Sequence, residues 1–228
     1  MTERYKKWYY GHWPHLSHGI STWHFDDSRP PEPGADSFYT LGNMAVDVGI
    51  LAGENLENLP SGSWARRVAS EDDPEYKNNM ENFLKSINWD PEKKHFDRLN
   101  LMHLSLAPRI LAALGLTDGE IWLHLQQTGQ SLNMHLDHLS APDEDPTTIR
   151  RFFVMLDNWH AGQVIIFGNG VFTHWRAGDV VSFDWQNMPH GSANFSWSPR
   201  PMLQVTGYVS DKTQQLINNA APGLKIEL

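Results

Sequence analysis

Apolar and polar residues alternate in short runs through the second half of the chain, and turn residues cut the runs at regular intervals. Seven stretches read as strands: IWLHLQQT (121–128), SLNMHLDH (131–138), TIRRFFVMLD (148–157), QVIIFG (163–168), GVFTHW (170–175), DVVSFDW (179–185) and PMLQVTGYVS (201–210). Alternation with a period of two sends successive side chains to opposite faces, so each run can bury one face. Gly129, APDEDP, HAG, GNG, RAG, NMPHGS and SWSPR separate the runs and carry the Gly, Pro, Asn and Asp that tight turns use. Short strands at this roughly 8–12-residue spacing predict an all-β sandwich or barrel. DKTQQLINN (211–219) then predicts a short helix.

The first 118 residues have a different texture, mixed and rich in loops. DDSRPPEPGADS (26–37) cannot continue a helix or a central strand, and SFYTLGNMAVDVGIL (37–51) has room for one or two strands. Tyr76, Met80, Phe83, Leu84 and Ile87 recur near helical spacing. DRLNLMHLSLAPRILAALGL (97–116) is helical in character, with Pro108 expected to break or kink it. Asp118 and Gly119 give a turn signal that closes this half.

Composition narrows the field. A chain of 228 residues is expected to form one domain, with about 1–118 as a supporting region, about 119–209 as the β core and 210–228 as a tail. A net charge of −9 with no run of Lys or Arg longer than two disfavours a nucleic-acid partner. The N-terminal stretch has no apolar core of a secretory signal, and no apolar run reaches the ~20 residues that span a bilayer. A soluble, cytoplasmic protein without a membrane partner is the expectation. There is no cysteine, so a transition metal would have to be held by His and carboxylate.

Three His-x-Asp triplets are present: His24–Asp26, His95–Asp97 and His135–Asp137. Twelve histidines among 27 acidic residues make such triplets common by chance, so context has to decide. His24 runs into the Pro-rich loop, and His95 precedes the helical stretch, where i and i+2 do not share a face. Only His135 and Asp137 end a strand-like run, where alternation would bring them to one side and turn His138 to the other. A third ligand is available from His160, in a turn, from His174, placed mid-strand, or from His190, after the run DVVSFDW. Ten residues beyond His190 stands Arg200, at the start of the last run.

With those residues in order, the stretch from about 119 to 209 resembles the iron(II)/2-oxoglutarate-dependent dioxygenases, which are built on a double-stranded β-helix (jelly-roll) core. The family order is His-x-Asp, a distal His, then an Arg before the final strand, here His135, Asp137, His190 and Arg200. AGDVVSFDWQNMPHGSANFSWSPRPMLQVTG carries the same texture. The resemblance implies a mainly β, cupin-like fold with flanking helices. It implies Fe(II) on His135, Asp137 and His190, with dioxygen and 2-oxoglutarate filling the positions that two imidazoles and one carboxylate leave open. It also implies Arg200 on the distal carboxylate of 2-oxoglutarate, where a planar guanidinium can make two parallel hydrogen bonds. Many relatives have a Tyr nine residues before the first His; here that place is Gln126, an amide that can still bond the co-substrate. Met202, Gln204 and Thr206 share the parity of Arg200, which puts Gln204 with Gln126 among the co-substrate contacts.

Other positions stay open. Arg151 suits a substrate carboxylate if its face is inward, but Phe152, Val154 and Leu156 fit the opposite register equally well. Trp175 and Trp185 are candidates for a cavity wall, and the N-terminal histidines fit no closed zinc pattern. The expected activity is hydroxylation of a small molecule or a protein side chain, or a desaturation or ring closure, with release of succinate and carbon dioxide. The competing readings are a cupin-type metalloenzyme that does not use 2-oxoglutarate and a non-catalytic β-sandwich binding module.

Overall fold

Ile-Arg-Arg-Phe-Phe-Val-Met, residues 149–155, shows why the strands form and where they must sit. β-branched and aromatic residues favour extended backbone, and here both faces of the strand carry large apolar groups. Such a strand belongs inside a sheet that is covered on both sides. The computed structural model describes residues 38–52, 64–66, 96–135, 137, 145–168, 170–185 and 188–228. Its strands are β1 (Tyr39–Met44), β2 (Trp64–Arg66), β3 (Asp97–Asn100), β4 (Thr117–Gln126), β5 (Ser131–His135) and β6 (Ile149–Met155). They continue as β7 (Gln163–Phe167), β8 (Gly170–Phe172), β9 (Asp179–Ser182), β10 (His190–Asn194), β11 (Arg200–Tyr208) and β12 (Lys225–Ile226). The helices are α1 (Val48–Ala52), α2 (Leu106–Leu114) and α3 (Asp211–Asn218).

The strands form a large sheet in the order β12-β1-β9-β6-β11-β4-β3-β2 and a small one in the order β5-β10-β7-β8. From β4 onward the chain passes from one sheet to the other at almost every step. β4, β6, β9 and β11 lie in the large sheet, and β5, β7, β8 and β10 in the small one. That alternation is the double-stranded β-helix, and the protein is mainly β with a few flanking helices. Two apolar layers hold it. Ile149, Phe153, Met155, Ile165, Phe167 and Met202 lie in one cluster, between the sheets. On the far face of the large sheet, Phe152, Val154, Leu203 and Val205 pack with Ile110, Leu111 and Leu114 of α2. Among the described residues no helix is long and apolar enough to cross a membrane.

Several expectations need correction. Residues 97–116 are not one helix: Asp97–Asn100 is a strand, and α2 begins at Leu106. Pro108 lies in the first turn of α2, where its missing N–H has no partner to lose. The stretch 37–51 holds one strand, β1, and its last residues open helix α1. The Asp118–Gly119 signal is a bulge inside β4, where Asp118 takes a φ of 43° and the register against β11 shifts. His174 is not mid-strand; it follows β8 with a φ of 58°. β10, with the weak strand formers His-Gly-Ser-Ala-Asn, forms because β5 and β7 pair with it on either side. The helical pattern at 74–87, the N-terminal histidines, His95 and His138 lie outside the described residues.

Replacing Phe152, which is fully buried, by alanine is expected to cost about 3–5 kcal/mol in urea unfolding. Val171→Ala, at a position 59% exposed, is expected to change stability by less than about 0.5 kcal/mol.

Candidate functional site

The site occupies the space between the sheets and is assembled by register. On the large sheet Arg200 of β11 lies opposite Gln126 of β4, Met202 opposite His124, and Gln204 opposite Trp122. On the small sheet His190 of β10 lies directly across from His135 of β5 and from Phe167 of β7. The β5–β10 register slips between His190 and Ser192, so β5 has one extra residue there. A side chain at Gly191 would meet the carbonyl of Leu132 at 2.9 Å and the amide of Met134 at 3.1 Å, so the bulge requires a glycine. The space, mouth included, is about 440 Å³, and Gln126, Asp137, His190, Ser192, Arg200 and Gln204 line it with apolar neighbours.

At one side stand a carboxylate and an imidazole. His190 Nε2 lies 3.4 Å from Asp137 Oδ2, and both side chains are buried. His190 Nδ1 lies 3.2 Å from the carbonyl oxygen of Met188. A carbonyl only accepts, so that ring nitrogen carries the proton and donates it. In the neutral ring Nε2 then presents a lone pair toward the carboxylate. Two lone-pair-bearing atoms this close in a buried space are suited to a shared cation. Phe183 packs against the imidazole at a centroid distance of 4.9 Å, with Phe153 at 6.1 Å and Phe167 at 6.2 Å. These rings shield the imidazole from water.

Arg151 of β6 is turned inward, which settles the register left open by the sequence. Both faces of β6 are buried, and Phe152 and Val154 face the helices instead. The Arg151 guanidinium makes an ion pair through Nη1 with Asp137 Oδ2. Its Nε donates to Thr206 Oγ1 at 3.0 Å, and its Cζ lies 5.3 Å from the ring centroid of Trp185.

Arg200 lies across the cleft and is also buried. Its Nη2 donates to Gln126 Oε1 at 2.7 Å, and its Nη1 lies 4.0 Å from the sulfur of Met202. Its Nε meets no acceptor among the described residues. Burial alone pushes its pKa down from the ordinary arginine range to about 10. Gln126 is held in turn, donating to Ser192 Oγ at 3.3 Å, while Asn194 Nδ2 donates to the Gln126 carbonyl at 2.8 Å.

The fold thus brings Asp137, His190, Arg200, Gln126 and Gln204 to one cleft and places His135 across from His190. Of the other histidines considered, His160 pairs with Asp157 at 3.3 Å, and His174 stacks on Trp159 at 4.1 Å. Neither lines the cleft. Trp175 and Trp185 belong to the apolar layer and not to the cleft wall. Phe96 and His124, whose tilted rings lie 4.5 Å apart, do line it and were missed by sequence reasoning. The signal for His124 was available, since it stands two residues from Gln126 on the same face of β4.

No known protein family matches the chain by sequence. No curated protein matches it either. Among solved structures it is similar to a cupin 2 conserved barrel domain protein from Salinispora arenicola, at 13% identity over 54% of this chain and 84% of that one, with a TM-score of 0.34. It is similar to a cupin-superfamily sugar phosphate isomerase from Silicibacter pomeroyi, at 17% identity over 67% and 81%, with a TM-score of 0.36. It is also similar to a predicted oxalate decarboxylase from Thermotoga maritima, at 13% identity over 50% and 81%, with a TM-score of 0.34.

Asp137→Ala is expected to leave the Arg151 cation buried without its carboxylate and to cost about 3–5 kcal/mol by chemical denaturation. Adding Arg151→Met should recover much of that loss, because the pair is then replaced by apolar groups.

Proposed function

We propose that the chain is an iron(II)- and 2-oxoglutarate-dependent oxygenase that hydroxylates a small molecule or a protein side chain. The observation that carries this reading is Arg200. It is a buried guanidinium whose partners among the described residues are neutral, facing the same cleft as a convergent carboxylate and imidazole. A charge in that place is costly unless something anionic joins it. A dicarboxylate co-substrate is such a partner, and Gln126 already holds one edge of the guanidinium toward it.

The donor set suits iron. His190 and Asp137 offer a nitrogen and an oxygen at a separation that one cation can bridge, and His135 is the third ligand proposed, from the register position opposite His190. Two imidazoles and a carboxylate favour a divalent metal of this type and leave open positions on it. Bound there, Fe(II) would activate dioxygen, so that 2-oxoglutarate leaves as succinate and carbon dioxide and one oxygen atom enters a substrate C–H bond. The chain supplies orientation and shielding. The Met188 carbonyl fixes the tautomer of His190, and the three phenylalanines around it keep bulk water away. Gln204 and Ser192 extend the polar lining.

The test is calorimetry without oxygen, using Fe(II) and 2-oxoglutarate. Arg200→Met is expected to weaken 2-oxoglutarate binding by at least about 30-fold and to leave metal affinity nearly unchanged. The ligand-free variant should be as stable as the parent or more so. A cation whose pKa is depressed to about 10 destabilises the fold fully below about pH 10, and that cost fades as pH rises from there toward the ordinary arginine value. Metal binding with no effect of Arg200→Met on 2-oxoglutarate would favour a cupin-type metalloenzyme without the co-substrate. Binding of neither would favour a non-catalytic module.

A further inference from the structure

The metal reading leaves Arg151 without a role, yet Arg151 is a buried cation held by three side chains. It sits opposite Thr206 in the β6–β11 register, and its Nε reaches the Thr206 hydroxyl at 3.0 Å. Trp185, which lies under the guanidinium, is tied to the same strand by its indole N–H, which donates to the carbonyl of Ile149 at 3.2 Å. The guanidinium is therefore fixed on two sides before it meets Asp137 on the third.

Asp137 is differently placed. It follows β5, which ends at His135. Its carboxylate points into a buried space, 3.4 Å from His190 Nε2. From this juxtaposition we infer that Arg151 is the positioning residue for Asp137. It holds the carboxylate of a loop residue in register with His190, using the rigidity of β6 and β11.

Two effects of opposite sign are involved. A guanidinium beside the carboxylate reduces the negative charge that a bound cation feels, which lowers affinity. It also holds the carboxylate beside the imidazole and removes the ordering cost at the moment of binding, which raises affinity. The second effect prevails here, because the guanidinium that grips Asp137 is itself anchored on Thr206 and Trp185 and so fixes the carboxylate before a cation arrives.

The inference rests on the proposed metal role of Asp137. It is tested by titrating manganese(II) alone into the full chain and reading the dissociation constant well below the melting temperature. Arg151→Met is expected to weaken manganese(II) binding by about 10–100-fold, and Arg151→Lys to restore part of it. A lysine supplies the charge but cannot bond Thr206 and Asp137 together in one plane. Thr206→Val, which removes a single hydroxyl, is expected to weaken binding by about 2–10-fold, with no further loss when combined with Arg151→Met. Should Arg151→Met not fold, Thr206→Val decides alone. A merely structural arginine would lower the melting temperature and leave manganese(II) affinity of the folded protein unchanged, and that result would overturn the inference. Manganese(II) binding in the parent chain with no loss in the variants removes Arg151's role and keeps the metal site. No manganese(II) binding in the parent removes both.

Discussion

Strand β11 has to be buried on both faces, and the rest of the molecule is arranged around that requirement. Its outward residues Leu203 and Val205 need the helical layer, and its inward residues need the small sheet. It pairs with β4 on one side and with β6 on the other. Each of the two charged clusters in the cleft hangs on one of these pairings. Arg200 reaches Gln126 across the β4 ladder, and Thr206 reaches Arg151 across the β6 ladder. A slip of one residue in either pairing would invert the faces and dismantle the cluster that hangs on it.

The cleft combines two electrostatic solutions. Arg151 and Asp137 neutralise each other inside the protein, with Thr206 and Trp185 steadying the cation. Arg200 is instead surrounded by an amide and a thioether, and its charge is disfavoured by burial. A buried ion pair is a poor source of stability, and a lone buried cation is a worse one. A buried cation with neutral neighbours points to a binding partner more directly than the shape of the barrel does, since fold alone does not decide function.

Much of this was legible in the chain itself. Alternation located the strands of the β half, because a half-buried extended run leaves a period of two in the sequence. Parity along the last strand put Met202 and Gln204 in the cleft with Arg200, since β11 has no bulge between these positions. Strand context singled out His135 and Asp137 as the candidate pair, and His135 does end strand β5. β10 was not legible, because His-Gly-Ser-Ala-Asn has little intrinsic preference for strand and takes that form only between two partners. The strand at Asp97–Asn100 was hidden for a related reason: a following helix lent its apolar spacing to the whole stretch.

The inward turn of Arg151 lay beyond the sequence altogether. With apolar residues on both faces of β6, either register satisfied the pattern, and the choice was made by what the neighbouring strand offered. Thr206 supplies an acceptor on the inner face, while the outer face is a dry layer of aliphatic side chains against α2. Sequence by itself determined which residues are candidates to bind a metal and an anion, through their chemistry and their order along the strands. Tertiary structure alone decided which of them meet, because the contacts join residues 66 and 74 positions apart, and only packed sheets bring such distant segments together.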